Sequence, residues 1–413
     1  MKTNKFLLNF DYTLFFSALF LTIIGIFFIY SANYNKTGDL QTEYLKQIIF
    51  LIVGLALLFT ISFIPTRAIQ NASLWFYAVC LLGIVLTLFF PEVKGQRRMN
   101  VLGFSFQFSE FMKIATIILL SSFYSHKSKE DIKSLKVYLR GALIAFMPVI
   151  FILLQPDLGT SLVYFPIFLS ISFVAGVNKK FLLFTVLLIG FTTLIPVVTT
   201  VNHLFYNNEN EIFNLLVNPK YIIILFATLF FTLGLSSLVL FDVIKGIGPK
   251  FKIFFFWYVF FCSVAIIGLS MSYPVNKFLK PYQKDRLLIF FNPYVDEKGS
   301  GYHIIQSITT IGNGGFLGKG WRKGEQVQKY FLPEQATDFI YPVIAEEMGF
   351  IGSLIILLLY GAIFFRGMRI TVMSKDFWSS FTVVGLMSVY FFHILENMGM
   401  CIGVMPITGI PLP

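Results

Sequence analysis

Long runs of apolar residues, too continuous to be one face of a soluble bundle, alternate along the chain with short polar intervals. They fall near 13–32, 47–64, 72–90, 108–125, 141–155, 159–177, 181–199, 221–241, 253–272, 339–365 and 377–397. An α-helix rises about 1.5 Å per residue, so about 20 residues cross roughly 30 Å of hydrocarbon. In lipid every backbone polar group must be satisfied within the segment, which selects helices. The pattern predicts an all-α polytopic membrane protein of about eleven transmembrane helices, a single integral domain over 1–413. One long polar stretch, 273–338, separates the ninth run from the tenth, and it predicts a large loop with a function of its own.

The polar intervals set the orientation. With the N-terminus inside, about 16 Lys and Arg fall on cytoplasmic segments and about 6 on the short outer ones. The first run follows Lys2 and Lys5, is too long for a signal-peptide core and lacks a small-residue cleavage site, so it reads as a retained anchor. The 273–338 stretch then lies outside the bilayer. Its nine further Lys and Arg do not conflict with this, because long loops escape the charge rule.

Composition fixes the class more firmly: hydrophobic residues make up 56% of the 413 positions, charged ones 13%, and Phe alone numbers 51. A net charge of +11 suits either lipid headgroups or an anionic substrate. Headgroup contact is the expected use of Lys298, Arg322 and Lys329. With no soluble domain to carry it, nucleic-acid recognition is not expected. Cys80, Cys262 and Cys401 show neither disulfide nor metal-ligand spacing.

Ionisable residues inside apolar runs are costly unless paired or facing water. Glu110 and Lys113 lie three apart, on one helix face, and either pair structurally or look into a cavity. Glu346 and Glu347 are adjacent, so one must point away from the other. Glu396 sits near the end of the last run. Asp157 follows Pro156 at a tight reversal and is expected to cap the next helix. The polar stretch supplies Lys280-Pro-Tyr-Gln-Lys-Asp-Arg286, the carboxylates Asp285, Asp296 and Glu297, and His303. Chemistry alone does not choose among these carboxylates.

Four motifs do. Gln155-Pro-Asp-Leu-Gly-Thr-Ser161, Asn292-Pro through Asp296 to Gly299-Ser-Gly-Tyr302, Gly314-Gly-Phe-Leu-Gly-Lys-Gly-Trp321, and Thr337-Asp-Phe-Ile340 with Ala345-Glu-Glu-Met-Gly349 occur in this order. Together they resemble the SEDS family of shape, elongation, division and sporulation proteins, over roughly 91–178 and 273–400. Gly299 to Ser307 and Gly318-Lys-Gly-Trp321 are closer to the elongation member, Asn292-Pro293 to the division member.

The resemblance implies a peptidoglycan glycosyltransferase that polymerises lipid II at the outer face of the bacterial inner membrane. It implies as partners a class B penicillin-binding protein, a transpeptidase, together with the elongation machinery and membrane lipids. Through the glycine-rich run that follows it, Asp296 aligns with the family's essential aspartate, and the implied role is general base. Arg98, Lys113 and Arg286 are candidates for the pyrophosphate, with Glu110, His303, Gln306 and Ser307 as further substrate contacts. Asp157, Thr337, Asp338 and Glu346 are supporting residues. No cofactor is required by these residues; a divalent cation such as Mg could share the pyrophosphate charge, without dedicated ligand spacing.

The chain also departs from the family. Met99 stands where Arg98 is commonly followed by Trp, Phe108 where Pro is usual, and Ala336 where a His commonly precedes Thr-Asp. Relative to the usual ten spans, 200–272 reads as an inserted pair of helices with an outer loop, which preserves the sidedness of Asp296. The chain stops at Ile410-Pro-Leu-Pro413, where family members continue into a last span, so a final helix is expected to be missing. Two other readings compete: a flippase for the lipid-linked precursor, and a passive scaffold for a transpeptidase. Against the first, polar groups concentrate at the outer face and no internal repeat is evident.

Overall fold

The computed structural model describes residues 10–34, 42–90, 99–101, 104–155, 157–206, 213–214, 218–240, 248–296 and 299–413. Helices dominate. In chain order they begin with α1 (Tyr12–Asn33), α2 (Glu43–Phe63) and α3 (Thr66–Thr87). A short antiparallel hairpin follows, β1 (Met99–Val101) with β2 (Phe104–Phe106), in the register Met99 to Phe106 and Val101 to Phe104. It leads into α4 (Phe108–Ser125), α5 (Leu135–Leu154), α6 (Leu158–Leu162) and α7 (Tyr164–Ala175). Then come α8 (Lys179–Tyr206), α9 (Pro219–Leu240), α10 (Pro249–Phe278), α11 (Pro281–Phe291), α12 (Ser300–Gly314) and α13 (Glu325–Gln328). Two long helices close the chain, α14 (Ile340–Met373) and α15 (Phe377–Cys401).

Among the described residues, 10 helices are long and apolar enough to cross a membrane, with α6 and α7 acting as one. The remaining expected run is α4. It is an 18-residue helix whose apolarity is diluted by Glu110 and Lys113, and it packs among α3, α5, α7 and α15. The chain is a multi-pass membrane protein.

Start signals explain the element boundaries. Asp11 accepts the Leu14 N–H at the head of α1, Ser134 the Val137 N–H at α5, and Asp376 the Ser379 N–H at α15. Pro249 and Pro281 occupy first-turn positions of α10 and α11, where their missing N–H costs nothing. Gly176, with φ of 93°, ends α7 in the left-handed conformation.

The chain divides into two compact units. The first comprises Met1–Asn178 with His303–Pro413, and the second Lys179–Tyr302. In the first, Tyr77, Cys80 and Ile84 of α3 meet Met112 and Ala115 of α4, Ile152 of α5 and Tyr164 of α7. A second cluster joins Phe28 and Ala32 of α1 to Val343, Ile356 and Tyr360 of α14 and Ile394 and Met398 of α15. Lipid tails are as apolar as these side chains, so close packing rather than water exclusion holds the helices together. Gly385 of α15 lets Ile117 of α4 and Ile171 of α7 come against the helix backbone, and any side chain there would collide with both. In the second unit, α8 packs chiefly on α10, with Ile195 and Leu269 buried between them.

The 273–338 stretch is not the irregular loop that its polarity predicts. Helix α10 runs on to Phe278, α11 follows, a 3-10 turn covers Pro293–Asp296, and α12 and α13 occupy much of the rest. Polar composition hid ordinary helix signals. The Gln283 side-chain oxygen accepts the Lys280 N–H at 2.9 Å at the head of α11, and Ile304, Ser307 and Thr310 line one buried face of α12 at three-residue spacing.

Candidate functional site

On α4, Lys113 is 3% exposed and its ammonium lies 2.7 Å from Glu110 Oε2, whose side chain is half exposed. The other side of the ammonium meets His393 Nε2 of α15 at 3.2 Å. Glu110 and Lys113 are thus an ion pair at the rim of the first unit, with the cation buried and the anion reaching outward. A polar belt continues beside them. Gln107 donates to Asp157 Oδ2 at 2.8 Å, while Asp157 Oδ1 accepts the Thr160 N–H at 3.0 Å and Oδ2 the Thr160 hydroxyl at 2.8 Å. Asp157 therefore caps α6 and ties it to the start of α4.

The segment after α15 folds back over that helix's end. Gly403 and Gly409 take φ of 77° and 75°, which permits the reversal. Asn397 is fully buried and its amide donates to the Asp338 carbonyl at 2.7 Å and the Ile410 carbonyl at 2.8 Å. A Cβ at Gly159 would strike the Thr408 carbonyl, so α6 touches the returning segment directly. Ser307, expected to contact substrate, is fully buried and donates to the Cys401 carbonyl at 2.7 Å. It locks α12 onto α15 instead, because its position on the buried face of α12 turns it inward.

Two of the sequence motifs turn out to be halves of one backbone clasp. Helix α14 breaks at Gly349, where φ is 67° and ψ is −161°. The break frees the Glu346 and Glu347 carbonyls to accept the Lys319 and Gly320 N–H groups, both at 2.9 Å. It also lets the Phe350 N–H reach the Gly315 carbonyl at 2.9 Å. Gly318, with φ of 81°, lies against the Glu347 backbone, where any side chain would collide.

The two carboxylates diverge, as adjacency requires. Glu346 accepts the Gln326 and Val327 N–H groups at 3.0 and 3.1 Å and so caps α13; Glu347 accepts the Ser31 hydroxyl of α1 at 2.6 Å. Arg322 lies over the Tyr34 ring rather than reaching only for headgroups. Thr337 is exposed and bonds the Glu334 carbonyl, and His303 lies against the Phe339 ring with centroids 5.9 Å apart. Gln306 is half-buried, and its carbonyl accepts the Thr310 hydroxyl.

Asp296 and Arg286 belong to the second unit. Asp296 ends the 3-10 turn after α11, and its carboxylate lies over Gly299 at the head of α12. A Cβ at Gly299 would come within 2.8 Å of the Asp296 Cγ, and one at Gly301 would strike the Pro293 and Asp296 carbonyls. These glycines let the turn close and bring a carboxylate to a helix N-terminus, where the backbone dipoles favour negative charge. Arg286 stands 5.6 Å from the Tyr282 ring centroid. Arg98 lies outside the described residues, as do Arg97, Glu297 and Lys298.

A separate apolar cleft of about 810 Å³ runs between α1, α2, α14, α15 and the chain's end, with Asp11, Gln47 and Thr337 among its lining; neither Lys113 nor Asp157 reaches it. It is not where the polar groups converge. Among the described residues no cluster of three or more His, Cys, Asp or Glu could hold a metal ion. Sequence reasoning missed His393. An ionisable residue inside an apolar run was signal enough.

The model of the FtsW/RodA/SpoVE family, described as cell cycle proteins, matches residues 12–221 and 221–413. The peptidoglycan glycosyltransferase RodA of Treponema pallidum is 35% identical over 407 residues, 98% of this chain and 92% of that protein. The chain belongs to this family. It is the SEDS family that the four motifs resemble. The peptidoglycan glycosyltransferase MrdB of Escherichia coli is 28% identical over 98% of this chain and 87% of its own length. A chain in a solved peptidoglycan synthase complex, one that coordinates polymerization and crosslinking, superposes with a TM-score of 0.65. It is 24% identical and is covered over 91% of its length. That likeness shows the SEDS fold. Within it, three of the four motifs lie in the first unit, one at the α6 cap and two joined at the α14 break.

Proposed function

We propose that this protein is a peptidoglycan glycosyltransferase that polymerises lipid II into glycan strands in cell elongation, at the outer face of the bacterial inner membrane. The observation that carries the reading is the near-full-length similarity to RodA of Treponema pallidum, together with a carboxylate at Asp296 where the family's motif requires one.

In the reaction a sugar hydroxyl attacks the anomeric carbon of a polyprenyl-diphosphate-linked sugar. The new C–O bond forms as the bond to diphosphate breaks with its electron pair, and the hydroxyl proton passes to the Asp296 carboxylate. One well-placed proton transfer of this kind is worth about 10²–10⁴ in rate. Lys113, Arg98 and Arg286 are the candidate cations for the charge of the departing diphosphate. Glu110 keeps the buried ammonium paired between turnovers.

The sidedness follows from the distribution of Lys and Arg: N-terminus in the cytoplasm, Asp296 outside. A class B penicillin-binding protein is the partner that would crosslink the product, as polymerization and crosslinking are coordinated in the synthase complex that contains the similar chain. Purified protein given labelled lipid II should form polymer, Asp296→Ala should form none, and Glu297→Gln should stay active. Polymer at full rate from Asp296→Ala removes the proposed base. Labelled lipid crossing vesicles without any polymer turns the protein into a transporter.

A further inference from the structure

His393 has no part in the scheme above, yet it is the group that Lys113 meets inside the first unit. Both are buried, at 8% and 3% exposure, and the separation of 3.2 Å is a hydrogen bond between Nζ and Nε2. An ammonium group has only N–H donors, so Nε2 is the acceptor and the ring proton belongs on Nδ1. A protonated ring would set two cations against each other.

The remaining side of the imidazole engages the Pro411 carbonyl, an acceptor with no competing N–H of its own. That carbonyl belongs to the returning segment, which Asn397 anchors one residue earlier at Ile410. The Val404 N–H, bonded to the Gly399 carbonyl at 2.8 Å, anchors it at its start. Glu396, three residues after His393 on the same helix, turns to Thr408 of that segment. Among the described residues, the carboxylate paired with Lys113 is Glu110 on α4.

We propose that His393 is a positioning residue that fixes the Lys113 ammonium against the returning segment, so that the ammonium meets the diphosphate of the substrate in a set orientation. This deepens the glycosyltransferase reading and rests on it. Glu110, half exposed, constrains the cation from one side; a neutral acceptor on the other holds it in place without a second negative charge that would cancel it. Two of the three ammonium N–H directions are then used, and one is left for the substrate.

Two measurements on the full chain in nanodiscs test this. His393→Leu keeps the bulk but removes the acceptor, and His393→Gln keeps an acceptor and a donor. With lipid II as substrate, His393→Leu should lower kcat on the order of 10- to 100-fold with a smaller change in KM, and His393→Gln should stay within about threefold of wild type. Equal kcat for the two variants overturns the proposal.

The second measurement does not use activity, and so separates this inference from failure of the glycosyltransferase reading. In ¹⁵N spectra of histidine-labelled protein, His393 should carry its proton on Nδ1, and Lys113→Met should shift its Nε2 resonance. A proton on Nε2, or spectra unchanged by Lys113→Met, overturns the positioning role even where polymer forms normally. Absence of polymer from the wild-type chain, with Nδ1 protonated and the Nε2 shift present, removes the reaction but leaves the contact.

Discussion

The clasp at the head of α14 and the turn that carries Asp296 solve opposite problems. In the first unit, the Gly314–Trp321 strip is held by main-chain bonds to both sides of the α14 break, and Glu346 and Glu347 fasten α13 and α1 to the same point. In the second unit, Asp296 ends a four-residue 3-10 turn shaped by its own neighbours, Pro293, Gly299 and Gly301. One region spends buried polar groups on rigidity. The other presents a carboxylate from a short local turn. Motif residues of similar composition, glycine beside acid, do structural work in one place and hold the proposed base in the other.

If that division is right, the two regions should fail differently. Asp296→Asn keeps the shape of the turn but removes the base, and should cost about 10²–10⁴ in polymerisation rate with no loss of thermal stability in detergent. Gly349→Ala should do the reverse. A side chain at φ of 67° and ψ of −161° is strained, and here it would also press on the Gly318 backbone, a combined cost on the order of 3 kcal/mol. A denaturation midpoint unchanged in Gly349→Ala would show that the clasp is not what holds α14.

Gly299→Ala is the next largest effect, and it sharpens the contrast within the turn itself. The added methyl displaces the Asp296 carboxylate, and misplacement by about 1 Å costs up to about 10²-fold in rate. We expect a loss nearer tenfold, because a side chain can rotate away more cheaply than a backbone can move. Measured kcat should fall while the midpoint of unfolding holds. Were stability to fall and kcat to hold, the turn would be structural after all.

Much of the architecture was legible because the bilayer imposes a length: each long apolar run became a helix, and even α4, with its buried charge, lies at 108–125 as expected. Ends were less legible. The third run was expected from 72, but the helix starts at Thr66 after Pro65, since a polar first turn with Arg67 and Gln70 is invisible to hydropathy. The polar stretch misled for the same reason, its helices being marked by caps and by one buried face rather than by apolarity. At the site, adjacency alone predicted that Glu346 and Glu347 diverge, and a tight reversal predicted the Asp157 cap. Ser307 was not legible, because which way it faces depends on Cys401, 94 residues further along the chain.

The smallest expected effect lies at the membrane edge of the first unit, away from both regions. Arg366 Nη2 sits 2.7 Å from Asp11 Oδ2, joining the head of α1 to α14, and Asp11 also accepts the Leu14 N–H. Burial acts to raise the Asp11 carboxyl, but the Arg366 guanidinium and the Leu14 N–H outweigh it and hold the group below the usual carboxylate range. A folded value below the unfolded one means that the unfolded chain binds the proton first. The stabilisation is therefore complete above the unfolded value near 4 and is lost as pH falls through the folded value. A pair this close to water is worth about 1 kcal/mol or less. The wild-type midpoint should exceed that of Asp11→Asn at pH 7 and converge on it as the pH falls through the lowered folded value. Other carboxylates titrate in both proteins and cancel in the difference, and about 1 M salt should narrow the gap at pH 7. No gap at pH 7 would mean that the Asp11 side chain acts through its helix cap alone, since the amide of Asn can still accept the Leu14 N–H but cannot pair with Arg366.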